Sequence, residues 1–254
     1  MPAEFSLHRM EVIKENELPD IRLRIKDCGN RSRPLHRLTK PESPGIIAEL
    51  KRASPSRGAI RNVPAEEQAG KYRKGGAAGL SVLTDNNFFG GTWDDLLAVA
   101  DSAMIPVLCK EFVFFNEQIE LAFLYGADLV LLIARALSGL RLRELYCRAL
   151  ALGITPLIEV HDSHELSLAL ALNPEYLMVN LRNLETLAID EETGIETLSR
   201  VPENITSICA SGIDRPGKIS EIYKKTGTTL FLIGTALMQA RDPIPLMQEL
   251  CHVR

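Results

Sequence analysis

Leu129-Val130-Leu131-Leu132-Ile133 is apolar at every position and, with Ala134, makes the longest uninterrupted apolar run in the chain. A short run with no polar face fits a strand buried on both sides, the situation of parallel strands covered by helices. Working outward supports this. Upstream, Asn116–Tyr125 carries Ile119, Ala122 and Phe123 at helical spacing, and Gly126 follows. Downstream, Gly153 precedes a second apolar run, Pro156–Val160, and Asp162-Ser163-His164-Glu165 reads as a capping box opening the next helix. Eight short, mostly apolar and β-rich runs appear in all: Ile46–Glu49, Leu80–Leu83, Pro106–Cys109, Leu129–Ile133, Pro156–Val160, Tyr176–Asn180, Ile205–Cys209 and Leu230–Ile233. They start about 20 to 35 residues apart, room for one helix and two loops. Gly79, Gly126, Gly153 and Gly227 stand where left-handed helix caps are expected. Eight β-α units predict an α/β fold, a closed (β/α)8 TIM barrel of residues 45–254. An open doubly wound sheet is disfavoured because no GxGxxG follows the first run. Residues 1–44 form an N-terminal extension, with a helix expected over Arg9–Lys26. Seven Lys/Arg against one Asp between Arg22 and Lys40 suggest either a solvated surface or a cover over the barrel mouth that attracts an anion.

Composition narrows the function. The 254 residues carry 29 basic and 33 acidic side chains, a net charge of -4, with 46% apolar and 24% charged residues. These are globular values, not those of a disordered or fibrous chain. The mild acidity argues against a nucleic-acid partner. No apolar run approaches the roughly 20 residues of a membrane helix, and Met1–Glu17 lacks a signal-peptide core, so no membrane role and a cytoplasmic location are expected. Five scattered cysteines without a CxxC point away from disulfides and zinc clusters. His161-x-x-His164 has metal-compatible spacing but no third ligand, so no metal is expected.

In a (β/α)8 barrel the chemistry sits at the carboxyl ends of the strands. Charges end the apolar runs at those places. Glu49 and Lys51 follow the first, Lys110 the third, Glu159 the fifth, and Asn180 and Arg182 the sixth. A period of two puts Glu49 with Lys51, and Asn180 with Arg182, on common faces. If those faces point inward, acids, bases and anion binders converge on one mouth. A mixed-charge cluster of this kind must be paired, wet or functional. A lysine there is open to a shift towards neutral pH, useful in general acid catalysis. The seventh and eighth runs instead lead into Ser211-Gly212-Ile213 and Gly234-Thr235-Ala236, where glycine and a following helix suit a phosphate ester.

The run Ile46-Ile47-Ala48-Glu49-Leu50-Lys51-Arg52-Ala53-Ser54-Pro55-Ser56-Arg57-Gly58 resembles the signature of indole-3-glycerol-phosphate synthases. So do Ser81-Val82-Leu83-Thr84-Asp85 with Phe89-Gly90-Gly91, and Pro106-Val107-Leu108-Cys109-Lys110-Glu111-Phe112. Leu157-Ile158-Glu159-Val160-His161, Asn180-Leu181-Arg182-Asn183-Leu184, Ser211-Gly212-Ile213 and Leu232-Ile233-Gly234-Thr235-Ala236-Leu237-Met238 continue the match in order. The resemblance implies a (β/α)8 barrel with an N-terminal helical extension over its C-terminal face, and a cofactor-independent carboxy-lyase of tryptophan biosynthesis. Its small-molecule sugar-phosphate substrate would be 1-(2-carboxyphenylamino)-1-deoxyribulose 5-phosphate. It also implies roles. Lys110 is the general acid of ring closure, and Glu159 an acid–base that stabilises the cationic intermediate. Lys51 transfers protons and binds phosphate, oriented by Glu49, which is itself a candidate base. Asn180 binds a sugar hydroxyl and Arg182 the anthranilate carboxylate. Ser211, Gly212, Gly234 and Thr235 hold the phosphate. Phe89, Phe112, Leu131, Leu184 and Pro55 wall the aromatic ring, and Ser56 joins the substrate contacts.

Three positions depart from the family pattern. Ala210 stands where a Glu usually precedes Ser-Gly-Ile, Leu181 replaces the second Asn, and Glu111 a frequent Asp. Ala210 leaves open a paralogue with weakened or altered activity, or a non-catalytic sugar-phosphate binder. A phosphoribosylanthranilate isomerase would need Cys and Asp where this chain has Glu49 and Asn180.

Overall fold

The computed structural model describes residues 5–31 and 33–251. The eight runs are strands β1 (Gly45–Leu50), β2 (Gly79–Leu83), β3 (Val107–Lys110), β4 (Leu129–Ile133), β5 (Thr155–Val160), β6 (Tyr176–Asn180), β7 (Thr206–Ala210) and β8 (Leu230–Ile233). All pair in parallel, each with the next, and β8 closes on β1 to complete the barrel. The seventh run shifts by one residue: Ile205 precedes its strand and Ala210 ends it. Two-residue strands Ala53–Ser54 and Gly58–Ala59 form a small hairpin after β1.

Alternation along each strand divides the core in two. Ile46, Ala48, Val107, Val130, Leu132 and Ile158 face the helices, whereas Ile47, Leu108, Leu129, Leu131, Leu157, Met178, Ile208 and Leu232 fill the barrel. The surrounding helices are α2 (Ala65–Lys74), α3 (Trp93–Ser102), α4 (Asn116–Leu124), α5 (Gly139–Leu152), α6 (Ser163–Leu170), α7 (Glu191–Ser199), α8 (Pro216–Thr226), the short α9 (Thr235–Gln239) and α10 (Pro243–Cys251), preceded by α1 (Leu7–Asp27) in the extension. Gly126, Gly153 and Gly227 take positive φ as expected. Gly79 does not; it opens β2, and the left-handed turn before it belongs to Gly76. The capping box on α6 is offset. Asp162 accepts from the Glu165 N–H at 2.9 Å, but Glu165 reaches past Asp162 to accept from the His161 N–H.

The extension starts over the C-terminal face, where Phe5 lines the mouth beside Phe112, and then straps one side of the barrel. Near the mouth, fully buried Lys14 of α1 lies 2.9 Å from Asp85 and 3.1 Å from Glu111, just past the ends of β2 and β3. Farther along α1, Arg22 meets Glu117 in the first turn of α4. The chain then passes beneath the barrel, where Arg31 and Arg33 both pair with Asp128, the residue before β4. Leu38 closes the floor against Ile47, Leu108, Leu129 and Leu157, and Tyr176 Oη donates to its carbonyl at 2.6 Å. The basic stretch therefore does not form an anion-attracting cover over the mouth. Its arginines make ion pairs along the flank and at the floor, because carboxylates there satisfy them.

Candidate active site

The mouth opens into a cavity of about 540 Å³, within the usual range for small-molecule sites. Glu49, Lys51, Pro55, Ser56, Phe89, Lys110, Phe112, Leu131, Glu159, Asn180, Arg182, Leu184, Ser211, Gly212, Gly234 and Thr235 all line it. Period-two alternation explains why distant positions meet. Glu49, Lys110, Glu159, Asn180 and Ala210 lie at or near the carboxyl ends of β1, β3, β5, β6 and β7 and point inward.

Lys110 Nζ lies 3.2 Å from Glu159 Oε2, and Asn180 Nδ2 donates to the other carboxylate oxygen at 2.8 Å. Lys51 Nζ lies 2.6 Å from Glu49 Oε1. Burial alone would push the Lys110 ammonium down, but the charges of Glu159 and Glu49 outweigh it and hold the group above its ordinary value. The expected shift of this lysine towards neutral pH is therefore reversed: two carboxylates face it, so its proton is held. Burial likewise works against ionisation of Glu159, yet Lys110, His161 and the Asn180 amide together keep it below the usual glutamate value. The pair rests as ammonium and carboxylate.

Arg182 has no carboxylate partner among the described residues. Its backbone N–H donates to Asn180 Oδ1 at 3.0 Å and its guanidinium to the Leu187 carbonyl. Burial and the neighbouring Arg57 lower its proton affinity. Two such cations facing one cavity suit an anionic ligand. Across the mouth, Ser211 and Gly212 both adopt positive φ, +70° and +71°. For a serine this is a strained backbone of the kind found at ligand-gripping turns. At Gly234, any Cβ would stand 2.4 Å from Glu49 Oε1 and 3.0 Å from Lys51 Cε. Only glycine lets β8 end against that ion pair.

The cavity also holds residues the sequence reading passed over: Phe5, Arg57, Glu191, Asp214 and Gln239. Arg57 lay within the quoted signature, and its place beside Ser56 was the available signal. His161 was legible too, since two residues past Glu159 puts it on the same strand face. The sequence offers it as part of a His-x-x-His pair and of the family run Leu157–His161, and the structure separates the pair: His161 is buried and His164 exposed. Trp93 and Phe114 are packed in the core.

A closed eight-stranded parallel barrel that gathers acid–base pairs at the carboxyl ends of its strands, with guanidinium groups that have no carboxylate partner among the described residues, defines a (β/α)8-barrel enzyme. Solved structures share that architecture at low identity. They include a 3-hexulose-6-phosphate synthase (TM-score 0.66, 16% identity, 82% of this chain and 99% of that one) and KGPDC from Streptococcus mutans (TM-score 0.63, 10% identity, 82% and 96%). Sequence relatives are more specific. An indole-3-glycerol phosphate synthase from Exiguobacterium sp. is 43% identical over 206 residues, covering 81% of each chain. One from Nocardioides sp. is 40% identical over 227 residues, covering 89% of this chain and 86% of its own. The family model for indole-3-glycerol phosphate synthase matches residues 10–250. The chain belongs to the indole-3-glycerol phosphate synthase family.

Proposed function

We propose that the protein is an active indole-3-glycerol-phosphate synthase, converting 1-(2-carboxyphenylamino)-1-deoxyribulose 5-phosphate into indole-3-glycerol phosphate with loss of CO2 and water. The observation that carries this is the Lys110–Glu159–Asn180 cluster, which faces the Glu49–Lys51 pair in one cavity of a chain from this family. Arg182 holds the anthranilate carboxylate, and Ser211, Gly212, Gly234, Thr235 and Lys51 hold the phosphate. This stretches the substrate across the mouth, with Phe89, Phe112, Leu131, Leu184, Pro55 and Ser56 around its aromatic end.

In the first step the ring carbon bearing the carboxylate attacks the C2 carbonyl. A carbon–carbon bond forms, and the carbonyl oxygen takes the Lys110 proton. Loss of CO2 returns the electron pair to the ring. Lys110 is then neutral and no longer offsets Glu159, whose proton affinity rises as that of a buried, less compensated carboxylate must. In the dehydration Lys51, positioned by Glu49, protonates the hydroxyl on C2, which leaves as water. The Glu159 carboxylate, kept oriented by Asn180, stabilises the cation that forms and takes the proton from C1, so that the C1–C2 double bond completes the indole.

The five cysteines are all unpaired, as suits a reducing cytoplasm. No helix of the described residues is long and apolar enough to cross a membrane. The direct test incubates the purified chain with the carboxyphenylamino substrate and follows indole fluorescence. Turnover supports the synthase. Tight binding of the phosphate ester without an indole signal would make it a sugar-phosphate binder instead.

A further inference from the structure

We propose that His161 is a positioning residue for Glu159, tethered from behind by Glu165 so that its ring presents an Nε2–H to the working carboxylate. This rests on the reading of Glu159 as an acid–base group. His161 follows β5 directly and is buried. Its Nδ1 lies 3.0 Å from Glu165 Oε2 and its Nε2 lies 3.5 Å from Glu159 Oε1. Nε2 is buried and makes no hydrogen bond, which leaves it aimed at the Glu159 carboxylate without another partner. A ring with a carboxylate on each side serves both only as a donor at both nitrogens.

Glu165 is well placed to act as the tether. It opens α6 and accepts the His161 backbone N–H at 2.9 Å, while its other oxygen accepts from Arg135 in the turn after β4. Arg135 is held in turn by Asp162 at 2.9 Å and also feels Glu185. A chain of polar contacts thus runs from the cavity to the rim: Lys110, Glu159, His161, Glu165, Arg135. The groups facing Glu159 are Lys110 from β3, Asn180 from β6 and His161 from its own strand. Lys110 is the member that changes charge when it donates its proton. His161 gives up no proton in that step, so its ring keeps Glu159 oriented through the change. Its removal leaves a buried carboxylate with one fewer polar neighbour.

The test uses the full chain with 13C-labelled glutamate carboxyls and 15N-labelled histidine. In the wild type at neutral pH both ring nitrogens of His161 are expected to carry hydrogen; a bare Nε2 overturns the proposal, and this measurement needs no variant. His161→Leu should move the Glu159 titration midpoint up by about 1 to 3 pH units and carry the acidic limb of the kcat profile with it, with KM little changed. His161→Gln, which restores a donor without the charge, should recover part of kcat. An unmoved Glu159 midpoint in His161→Leu overturns the proposal even if kcat falls, since a purely structural loss would lower rate without altering that titration. Wild-type protein that gives no indole product overturns the acid–base reading of the site, and the Glu159 titration alone then decides whether His161 acts on it.

Discussion

Ala210 ends β7 with Asn180 of β6 on one side and Leu232 of β8 on the other, pointing into the cavity where the family usually has a glutamate. The two carboxylates left, Glu159 and Glu49, are sufficient to keep Lys110 above its ordinary value, so the proton that the proposed ring closure draws on is held without the third. Ala210→Glu adds a negative charge to the same cavity. It should hold the Lys110 proton more tightly still and move the basic limb of the kcat/KM profile upward, changing the rate on the carboxyphenylamino substrate. Equal kcat/KM values and superimposable profiles for the two proteins would show that the missing carboxylate is silent. Lys110→Met separates chemistry from binding, because the lysine and the Ser211–Gly212 and Gly234–Thr235 turns stand on different strands. The expected result is a fall in kcat of at least about 100-fold, the scale of a lost general acid, with affinity for the phosphate ester retained. A variant with undiminished kcat would take Lys110 out of the mechanism.

At the scale of elements, the strands were legible because burial on both faces leaves little room for polar residues, Ser81 and the Thr206-Ser207 pair being exceptions. The site was legible for the same reason in reverse: a charge that ends such a run, as Lys110 and Glu159 do, is conspicuous. The extension was less so. A helix near Arg9–Lys26 could be seen, but nothing local distinguishes Lys14 from the exposed lysines of any helix. Its role comes from contacts with Asp85 and Glu111, 71 and 97 positions away. Glu111 also accepts from Thr84 Oγ1 at 2.6 Å and from the Phe112 N–H at 2.7 Å, so the lysine fixes the segment that carries Lys110 and Phe112. Lys14→Met leaves these buried carboxylates without their cation. Breaking a buried pair in this way costs about 3–5 kcal/mol, which for a chain of this length lowers Tm by roughly 10 °C. Calorimetry on the variant checks this, and an unchanged Tm would mean that water compensates Asp85 and Glu111.

For the molecule as a whole, the same buried charges set the pH range of stability. Glu159 and Asp95 both titrate below their ordinary values in the folded protein: burial opposes ionisation in each, but Lys110 and His161 in one case, and Arg52 with Thr92 in the other, outweigh it. The native state therefore binds fewer protons than the unfolded chain, and the stability these groups contribute is present above the unfolded values of 4.5 and 3.8 and lost as pH falls through them. Glu111 has the opposite sign. Burial raises it despite Lys14, so it favours folding more when protonated and offsets part of the acid loss. Lys14 is raised by Glu111, Asp85 and Glu17 against the effect of burial, so its contribution is present below 10.5 and lost above. These signs combine into a plateau from about pH 5 to 10 with decline on both sides. Urea midpoints measured from pH 3 to 11 should be flat across neutrality and fall below about pH 4.5, with His161→Leu beginning its acid decline at higher pH than the wild type because its Glu159 is less depressed. Midpoints that rise steadily from pH 6 to 4 would mean that Glu111, and not the Lys110–Glu159 pair, dominates the acid response of the fold.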